Sequence, residues 1–426
     1  MFRRSTASAP STFSSLTTHN FRLFISTQVF AYTGGWVQRI AQDWLVLTLT
    51  GSATAVGITV ALQFLPSLLF SPYGGVIADR YPKRRIMVCT AASFSTLASL
   101  LAVLTVTGHV QVGQVYVLAF LTGTVISIDN PTRQSFVTEL VPLEHMRSAI
   151  GLNSSIFQVG ALLGPAASGL LISAYGPGFS FAINAISFAP PLVALLLMRT
   201  SELHIPEVRS RGSVRLRETF GYVRRRPTIL WPIVLAGCFS FFTINLAVTL
   251  AAYARTVAAS GAGGYGFLAS TVAIGALAGG LLAARRPHAR LRTLSATAAA
   301  LAALELSAGL ADGVDAFSVL LVGIGLCTVT LFTSVNSTVQ FDTHRAMRGR
   351  VMGVYLLVFM GAGALGGPAV GYVDQHLGAQ SGLVLAGGVG LIATAAISVY
   401  LARLGHLRLA LQPRPTYGWT VAVVHR

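Results

Sequence analysis

Long apolar runs dominate this chain of 426 residues. A helix needs about 20 consecutive apolar residues to cross the hydrocarbon core of a bilayer, and twelve such runs follow one another. They cover approximately residues 22–48, 54–77, 86–108, 113–130, 149–174, 179–198, 228–253, 264–284, 292–310, 316–338, 351–373 and 382–403. Lipid offers the backbone no hydrogen-bonding partner, so runs of this length can only be helices. The sequence therefore predicts an all-α integral membrane protein with twelve transmembrane helices.

The composition agrees with a membrane protein and argues against other classes. Charged residues make up only 10% of the chain, whereas soluble domains carry about 25%. The formal net charge of +17 would indicate nucleic acid in a soluble chain, but here the basic residues lie in short loops between apolar runs. We therefore expect no nucleic-acid partner. The histidines and the three cysteines show no metal-ligand spacing, so we expect neither a metal nor a cofactor.

The basic residues also predict the topology. Twelve crossings place both termini on one side, and all of the 30 lysines and arginines except Arg39 and Arg255 belong to that side. By the positive-inside rule, both termini are cytoplasmic and the protein is a multi-pass component of the cell membrane. We expect a monomer with a tail at 1–21, a six-helix bundle at 22–198, a basic cytoplasmic linker at 199–227, a second six-helix bundle at 228–404 and a tail at 405–426.

Two patterns occur once in each half and indicate an internal repeat. The charged segment that starts at Gly75 has a degenerate copy that starts at Gly280. In both, an arginine follows five residues later and a proline follows the arginine. The second pattern places small residues four apart, which lets helices approach closely, and adds a proline that kinks a helix. We interpret it as a pair of bending helices of a two-bundle transporter, with tight packing as the alternative. Its residues are Gly160, Gly164 and Pro165 in span five, and Gly363, Gly367 and Pro368 in span eleven.

These motifs carry a resemblance to a known family. The stretch with Gly75, Asp79, Arg80, Lys83 and Arg84 resembles the cytoplasmic loop motif of the major facilitator superfamily. The stretch 160–169 resembles the helix-five motif of its exporting members, and 20–52, 129–142 and 348–352 resemble the drug-efflux branch that includes enterobactin-type siderophore exporters. The predicted span four carries no arginine before Arg133, which we place at its cytoplasmic end.

The resemblance implies a secondary active transporter that exports small amphipathic compounds by alternating access, as a proton antiporter. Export of a siderophore or another self-made metabolite is the alternative. A membrane enzyme or a channel is a weaker one, because the sequence shows no catalytic constellation or filter-like repeat. The resemblance also implies that Asp79 contacts the start of span eleven in one access state. Because Gly75 has no side chain, we expect it to let span two approach its neighbour. The alternative is that the motif only fixes topology.

Ionisable residues inside a membrane are expensive and therefore become functional hypotheses. Arg39 and Asp43 lie four residues apart on one face of span one. Either they form a neutralising salt bridge, or Asp43 titrates as the proton or substrate-cation site. Glu305 in span nine is another candidate for proton coupling, with an interfacial or lipid-edge position as the alternative.

Neutral polar residues in the spans mark the wall of a predicted substrate cavity. Interhelical hydrogen bonds are the alternative explanation for each of them. The candidates are Gln38, Gln42, Gln63, Gln158, Asn184, Asn245, Thr333 and Asn336.

Overall fold

A computed structural model describes residues 13–204, 216–284, 291–344, 347–404, 407–413 and 419–425. Almost all of this part of the chain is helical. The helices are α1 (His19–Thr50), α2 (Ala53–Arg80), α3 (Lys83–Val106), α4 (Val112–Leu140), α5 (Met146–Tyr175), α6 (Pro177–Ser187), α7 (Ala189–Leu197), α8 (Leu216–Arg224), α9 (Pro227–Thr243), α10 (Leu246–Thr256), α11 (Gly261–Ala284), α12 (Leu291–Gly309), α13 (Val314–Asp342), α14 (Arg348–Leu377) and α15 (Ser381–Leu404). An antiparallel pair, β1 (Leu407–Pro413) and β2 (Trp419–His425), follows them.

Each predicted apolar run lies largely within one helix or within two consecutive helices. In the described residues, ten helical segments are long and apolar enough to cross a membrane, when α6 is joined to α7 and α9 to α10. Two further helices match the remaining predicted runs. One is α1, which carries Arg22, Arg39 and Asp43 among its 32 residues, and the other is α12, whose apolar part Thr293–Gly309 is shorter.

The helix interruptions do not fall at the predicted bending motifs. The helices α5 and α14 continue through Pro165 and Pro368. The chain instead breaks between α6 and α7, where Pro190 and Pro191 lack the N–H groups that would continue the ladder. It breaks again between α9 and α10, where the Asn245 side chain donates a 2.8 Å hydrogen bond to the Phe241 carbonyl and replaces a lost backbone partner.

Helix α4 is longer than predicted, and Arg133 lies in its C-terminal part. The helix continues through Pro131 to Leu140, so Arg133 lies inside it, with its side chain only 13% exposed. It forms an i,i+4 salt bridge with Asp129, at 2.8 Å. The predicted span ended at 130 because a hydropathy sum penalises every charged residue, whether or not it has a partner. A charged residue that is paired with another inside a helix bundle is tolerated.

When α6 is joined to α7 and α9 to α10, successive long segments alternate in direction, so their connections fall at two ends. We call the end with residues 51–52, 107–111, 257–260 and 378–380 the distal end. We call the opposite end, with residues 81–82, 141–145 and 198–204, the basic end. In the first half of the chain (13–204), α5 packs against α1 and α2 packs against α4. In the second half (216–404), α14 packs against α9 and α11 packs against α13. The halves meet mainly through two helix pairs, α2 with α14 and α5 with α11.

Candidate functional site between the two halves

Backbones touch where the halves meet near the distal end. A Cβ atom added to Gly57 of α2 would lie 2.1 Å from the carbonyl oxygen of Gly367 on α14. In the other pair, a Cβ on Gly266 of α11 would lie 2.6 Å from the Pro165 carbonyl oxygen of α5. Real Cβ atoms do not approach backbone oxygens this closely, so only glycine permits these contacts. The predicted motif residues Pro165 and Gly367 therefore belong to the contact between the halves.

Hydrogen bonds add to the closure of the distal end. The side-chain oxygen of Gln375, at the end of α14, accepts from the hydroxyl of Ser52 at 2.6 Å and from that of Thr54 at 2.7 Å. The guanidinium of Arg255 on α10 donates a 2.5 Å hydrogen bond to the Leu47 carbonyl of α1. These bonds tie the first connection of one half to two helices of the other.

The contact between α2 and α14 loosens toward the basic end. The helices run antiparallel, with Gly57 against Gly367 and then Leu68 against Gly361. Further along, a Cβ added to Gly75 on α2 or to Gly353 on α14 would meet no heavy atom within 4 Å. This pair of helices is therefore in close contact in its distal part and apart near the basic end.

The expected close approach at Gly75 is wrong for this conformation. The glycine that permits close packing in this stretch is its neighbour Gly74, where a Cβ would lie 2.1 Å from the Ser127 carbonyl oxygen of α4. In a helix, successive residues point about 100° apart, so the two glycines serve different faces. Gly74 faces α4 in its own half, whereas Gly75 faces open space.

The charged residues of the loop motif divide into two groups. Asp79 and Arg80 are exposed at the end of α2. Lys83 instead makes a 2.5 Å salt bridge with the buried Glu139 at the end of α4. Arg84 donates hydrogen bonds to two carbonyl oxygens at the end of α7, those of Leu195 and Leu196, at 2.5 and 2.8 Å. A cation there satisfies carbonyls that have no partner within their own helix. Lys83 and Arg84 thus fasten three helix ends of the first half together.

Asp43 lies at the contact between the halves. Its side chain is fully buried, and its Oδ2 accepts a 3.0 Å hydrogen bond from the hydroxyl of Tyr265 on α11. The Tyr265 ring, itself fully buried, stacks on Trp44, with 6.3 Å between the ring centroids. The second oxygen, Oδ1, has no hydrogen-bond partner among the described residues. Asp43 therefore links α1 to the other half of the chain and keeps one oxygen free.

Arg39 does not form the predicted salt bridge with Asp43. In the part of the chain that the structure describes, no oxygen of Asp43 lies within 4.0 Å of the Arg39 nitrogens. The guanidinium instead lies over the rings of Trp36, at 5.1 Å, and Phe64, at 5.7 Å. Aromatic faces attract a cation through the ring quadrupole. The sequence analysis did not identify Tyr265 as the partner of Asp43. The two residues are far apart along the chain, so no sequence pattern indicates their contact.

The predicted cavity residues do not share one environment. Gln38 and Asn184 are buried and hydrogen bonded to each other, which links α1 to α6. Asn245 is buried and also donates to the Gly363 carbonyl of α14, at 2.8 Å. These three fit the alternative of interhelical hydrogen bonds. Of the others, Gln42 and Gln63 are buried, Gln158 and Asn336 are half-buried and Thr333 is exposed.

Glu305 lies in the interior of the second half, so the lipid-edge position is wrong. Its side chain is 1% exposed, and its Oε1 accepts a 2.9 Å hydrogen bond from the Thr243 hydroxyl. Sequence reasoning missed a second buried carboxyl nearby, Asp374 of α14. The predicted span eleven ended one residue before Asp374, which therefore passed for a loop residue.

A further polar cluster was missed at Asp129 and Arg133, for the reason given above. Thr90 of α3 donates a 2.7 Å hydrogen bond to Asp129. The Arg133 guanidinium donates to the side chain of Gln28 and lies 5.5 Å from the ring of Tyr32. The cluster joins α1, α3 and α4 inside the first half.

Residues 10–419 match the model of a family described as transmembrane secretion effector. The chain belongs to this family of major facilitator superfamily transporters. The members of this family are multi-pass membrane transporters and not enzymes.

Curated relatives include a transporter and an efflux pump. The chain is 27% identical to the staphyloferrin A transporter of Staphylococcus aureus over 229 residues, which is 52% of this chain and 57% of that protein. It therefore matches little more than half the length of this relative. It is 26% identical to the multidrug efflux pump Tap of Mycobacterium tuberculosis over 420 residues, covering 92% of this chain and 95% of the pump.

Solved structures share the fold. The nucleoside transporter NupG superposes with a TM-score of 0.70 at 12% identity, covering 90% of this chain and 99% of that one. A bacterial homologue of the iron transporter ferroportin, in an inward-facing state, gives a TM-score of 0.68 at 13% identity, covering 89% of this chain and 98% of that one. At such identities the likeness concerns architecture alone.

Proposed function

We propose that this protein is a secondary active transporter that exports small amphipathic compounds in exchange for protons. Twelve transmembrane helices form two six-helix bundles, 22–198 and 228–404, and the two bundles alternate access to a site between them. The observation that carries this proposal is the uneven contact between the halves. Gly57 touches Gly367 near the distal end, whereas Gly75 and Gly353 face open space near the basic end. A contact of this kind closes one entrance and frees the other.

The packing supports the repeat within the two bundles. In α5, a Cβ on Gly164 would lie 2.4 Å from the Trp36 Cβ of α1. In α14, a Cβ on Gly363 would lie 3.0 Å from Ile244 at the end of α9. Each motif helix thus packs against the first spanning segment of its own half, and it also contacts the second spanning segment of the other half.

Asp43 suits the coupling role in this scheme. A protonated Asp43 lets the halves close over it without burying a charge. Loss of that proton toward the basic end leaves a buried carboxylate beside Tyr265, which is costly and favours reopening of the distal end. One proton then enters from the distal side and leaves at the basic side in each cycle. Arg39, held over its aromatic rings, supplies a nearby positive charge.

Efflux from whole cells tests this function. Cells that express the protein are loaded with ethidium, and its loss is followed by fluorescence with and without an uncoupler. We expect export that the uncoupler stops and that Asp43→Asn abolishes. The exposed Asp315 provides the matched control, and Asp315→Asn is expected to export normally. Uncoupler-sensitive export at the wild-type rate by Asp43→Asn would place the proton site elsewhere.

A second candidate function is export of a siderophore or another self-made metabolite, which similarity to the staphyloferrin A transporter favours. A panel of ethidium, a radiolabelled macrolide and staphyloferrin A, tested on the same cells, separates the two. Export of staphyloferrin A alone would support the second candidate. Export of ethidium and the macrolide would support the first.

The orientation is part of the proposal, with both termini and the basic end in the cytoplasm. Single cysteines at the exposed positions Ser201 and Ser260, in a chain without its native cysteines, test it with an impermeant thiol reagent added to intact cells. The cysteine at position 260 is expected to react and that at 201 to be shielded. The reverse pattern would invert the topology. Chemical crosslinking in membranes tests the expected monomer.

The exposed motif residue Asp79 is proposed to act in the opposite access state. There Gly75 and the end of α2 would close against the start of α14, where a carboxylate stabilises a helix N-terminus. We expect Asp79→Asn to reach the membrane in normal amounts and to export ethidium more slowly. Export at the wild-type rate by this variant would show that Asp79 has no role in the change of access. The motif would then act only through the structural contacts of Lys83 and Arg84.

A further inference from the structure

A second acidic site lies in the interior of the second half, away from Asp43. Glu305 of α12 lines a small cavity of about 10 Å³, enough for roughly one water molecule. One oxygen, Oε1, accepts the hydrogen bond from Thr243. The other, Oε2, is buried and has no hydrogen-bond partner among the described residues. A buried carboxyl oxygen without a partner, at the wall of a water-sized cavity, requires a proton, a cation or a solvent molecule.

Asp374 of α14 lies behind the same cavity. Its Oδ2 accepts a 2.5 Å hydrogen bond from the Thr249 hydroxyl, and its Oδ1 accepts a 2.7 Å bond from the Gly382 N–H. Both donors, Thr249 and Gly382, line the cavity with Glu305. The two carboxyls are therefore linked through Thr249 and Gly382, which bond Asp374 and line the cavity beside Glu305.

The surroundings offer these carboxyls no counter-charge. The titratable side chains on helices around the cavity include Cys238 on α9, Tyr253 and Arg255 on α10 and His376 on α14. Arg255 is bonded to the Leu47 carbonyl. Helix α15 has no charged residue before Arg403, and the described part of α12 near the cavity has only Glu305 itself. Within the described residues, neither carboxyl forms a salt bridge. Two ionised carboxylates in such a place are strongly disfavoured.

The hydrogen bonds distinguish the two acids. Asp374 accepts one bond on each oxygen, from a hydroxyl and from an N–H group, and such donors satisfy a carboxylate. Glu305 accepts one bond only and has a free oxygen. A proton on that oxygen removes the charge and gives the cavity a donor.

We propose that Glu305 is a second proton-binding site, with the proton on Oε2, and that Asp374 is the route by which a proton reaches it from the distal end. The next residue after Asp374 is Gln375, which holds Ser52 and Thr54 across the distal contact. Separation of the halves at that contact frees this end of α14 and opens Asp374 toward the distal side. The proposal rests on the proton exchange proposed above and adds a second site to it.

Infrared spectroscopy of the purified protein tests the site without any substrate. A protonated carboxylic acid has a carbonyl stretch that is separate from that of a carboxylate and shifts in D₂O. We expect this band at neutral pH in the wild type and a smaller band in Glu305→Gln, which keeps the shape and the bond from Thr243, while the contribution of Asp43 remains. In Asp374→Asn the band is expected to remain, and the rate at which it shifts in D₂O is expected to fall. The control Asp315→Asn should behave like the wild type.

A band of equal size in Glu305→Gln and in the wild type, both folded as judged by thermal unfolding, would overturn the site. An unchanged rate of deuterium exchange in Asp374→Asn would overturn the route. Membrane vesicles with an imposed pH gradient test the coupling, with ethidium as the probe. Glu305→Gln is expected to lose gradient-driven transport and to keep ethidium counterflow without a gradient. A band that Glu305→Gln reduces, without any ethidium transport by the wild type, would leave the proton site standing and refute the proposed function. Normal gradient-driven transport by Glu305→Gln would refute the coupling role.

Discussion

Replacement of Tyr265 by phenylalanine isolates one bond between the halves. The change removes the hydroxyl that donates to Asp43 at 3.0 Å and keeps the ring that stacks on Trp44. The bond is to Oδ2, and the other oxygen, Oδ1, has no partner among the described residues. The variant therefore leaves this buried carboxyl without a side-chain donor. We expect Tyr265→Phe to destabilise the conformation with a closed distal end.

The size of the effect follows from the burial of the bond. Loss of one partner of a buried hydrogen bond costs about 1–3 kcal/mol. The bond crosses between the halves, so this cost applies only to the state in which they meet there. The ratio of closed to open molecules at the distal end should therefore fall by about 5- to 150-fold.

A distance measurement reads this equilibrium. Spin labels are attached to cysteines at Thr107 and Asp312, which are exposed at the distal end of the first and second half. The native cysteines Cys89, Cys238 and Cys327 are replaced first. We expect Tyr265→Phe to add a population with a longer distance. The control is Tyr253→Phe, because the buried hydroxyl of Tyr253 has no hydrogen-bond partner in the described part. Equal distance distributions for Tyr265→Phe and the wild type would refute the reasoning.

Further predictions concern packing and the loop motif. In the same spin-label assay, Gly57→Ala is expected to shift the equilibrium toward the open distal end. We expect it to destabilise the closed state by about 1–3 kcal/mol, because its Cβ would lie 2.1 Å from the Gly367 carbonyl oxygen. Gly75→Ala, which meets no atom within 4 Å, is expected to leave that distribution unchanged, and a shift there would contradict the packing given for α2. Lys83→Ala leaves the buried Glu139 unpaired and should lower stability by about 3–5 kcal/mol, measured as thermal unfolding in detergent. Restored stability in the double variant with Glu139→Gln would confirm that the loss comes from the unpaired charge, and failure to restore it would contradict this.

Much of the fold could be predicted from the sequence, and less of the site. The apolar runs located the helices because, where water is excluded, the backbone N–H and C=O groups must form hydrogen bonds within their own segment. The limits of this reasoning appeared where a buried charged residue has a hydrogen-bonding partner inside the helix bundle. At Arg133 and at Asp374 the predicted spans ended too early, because hydropathy cannot see a partner such as Asp129 or Thr249. Partners distant along the chain leave no periodic signal.

The sequence alone determined that this chain spans a membrane and which family it belongs to. It also identified the ionisable residues whose burial in the membrane costs so much free energy that a functional role is expected. Asp43 and Glu305 were found on that ground. The tertiary structure decided what these residues do with their charge. It gave Asp43 a hydroxyl donor from the other half and placed Arg39 over aromatic rings. It also placed both donors to Asp374 on the wall of the cavity that Glu305 lines. Such arrangements depend on which helix faces pack together. That packing is set by contacts between backbones, such as Gly57 against Gly367, and a one-dimensional pattern does not contain them.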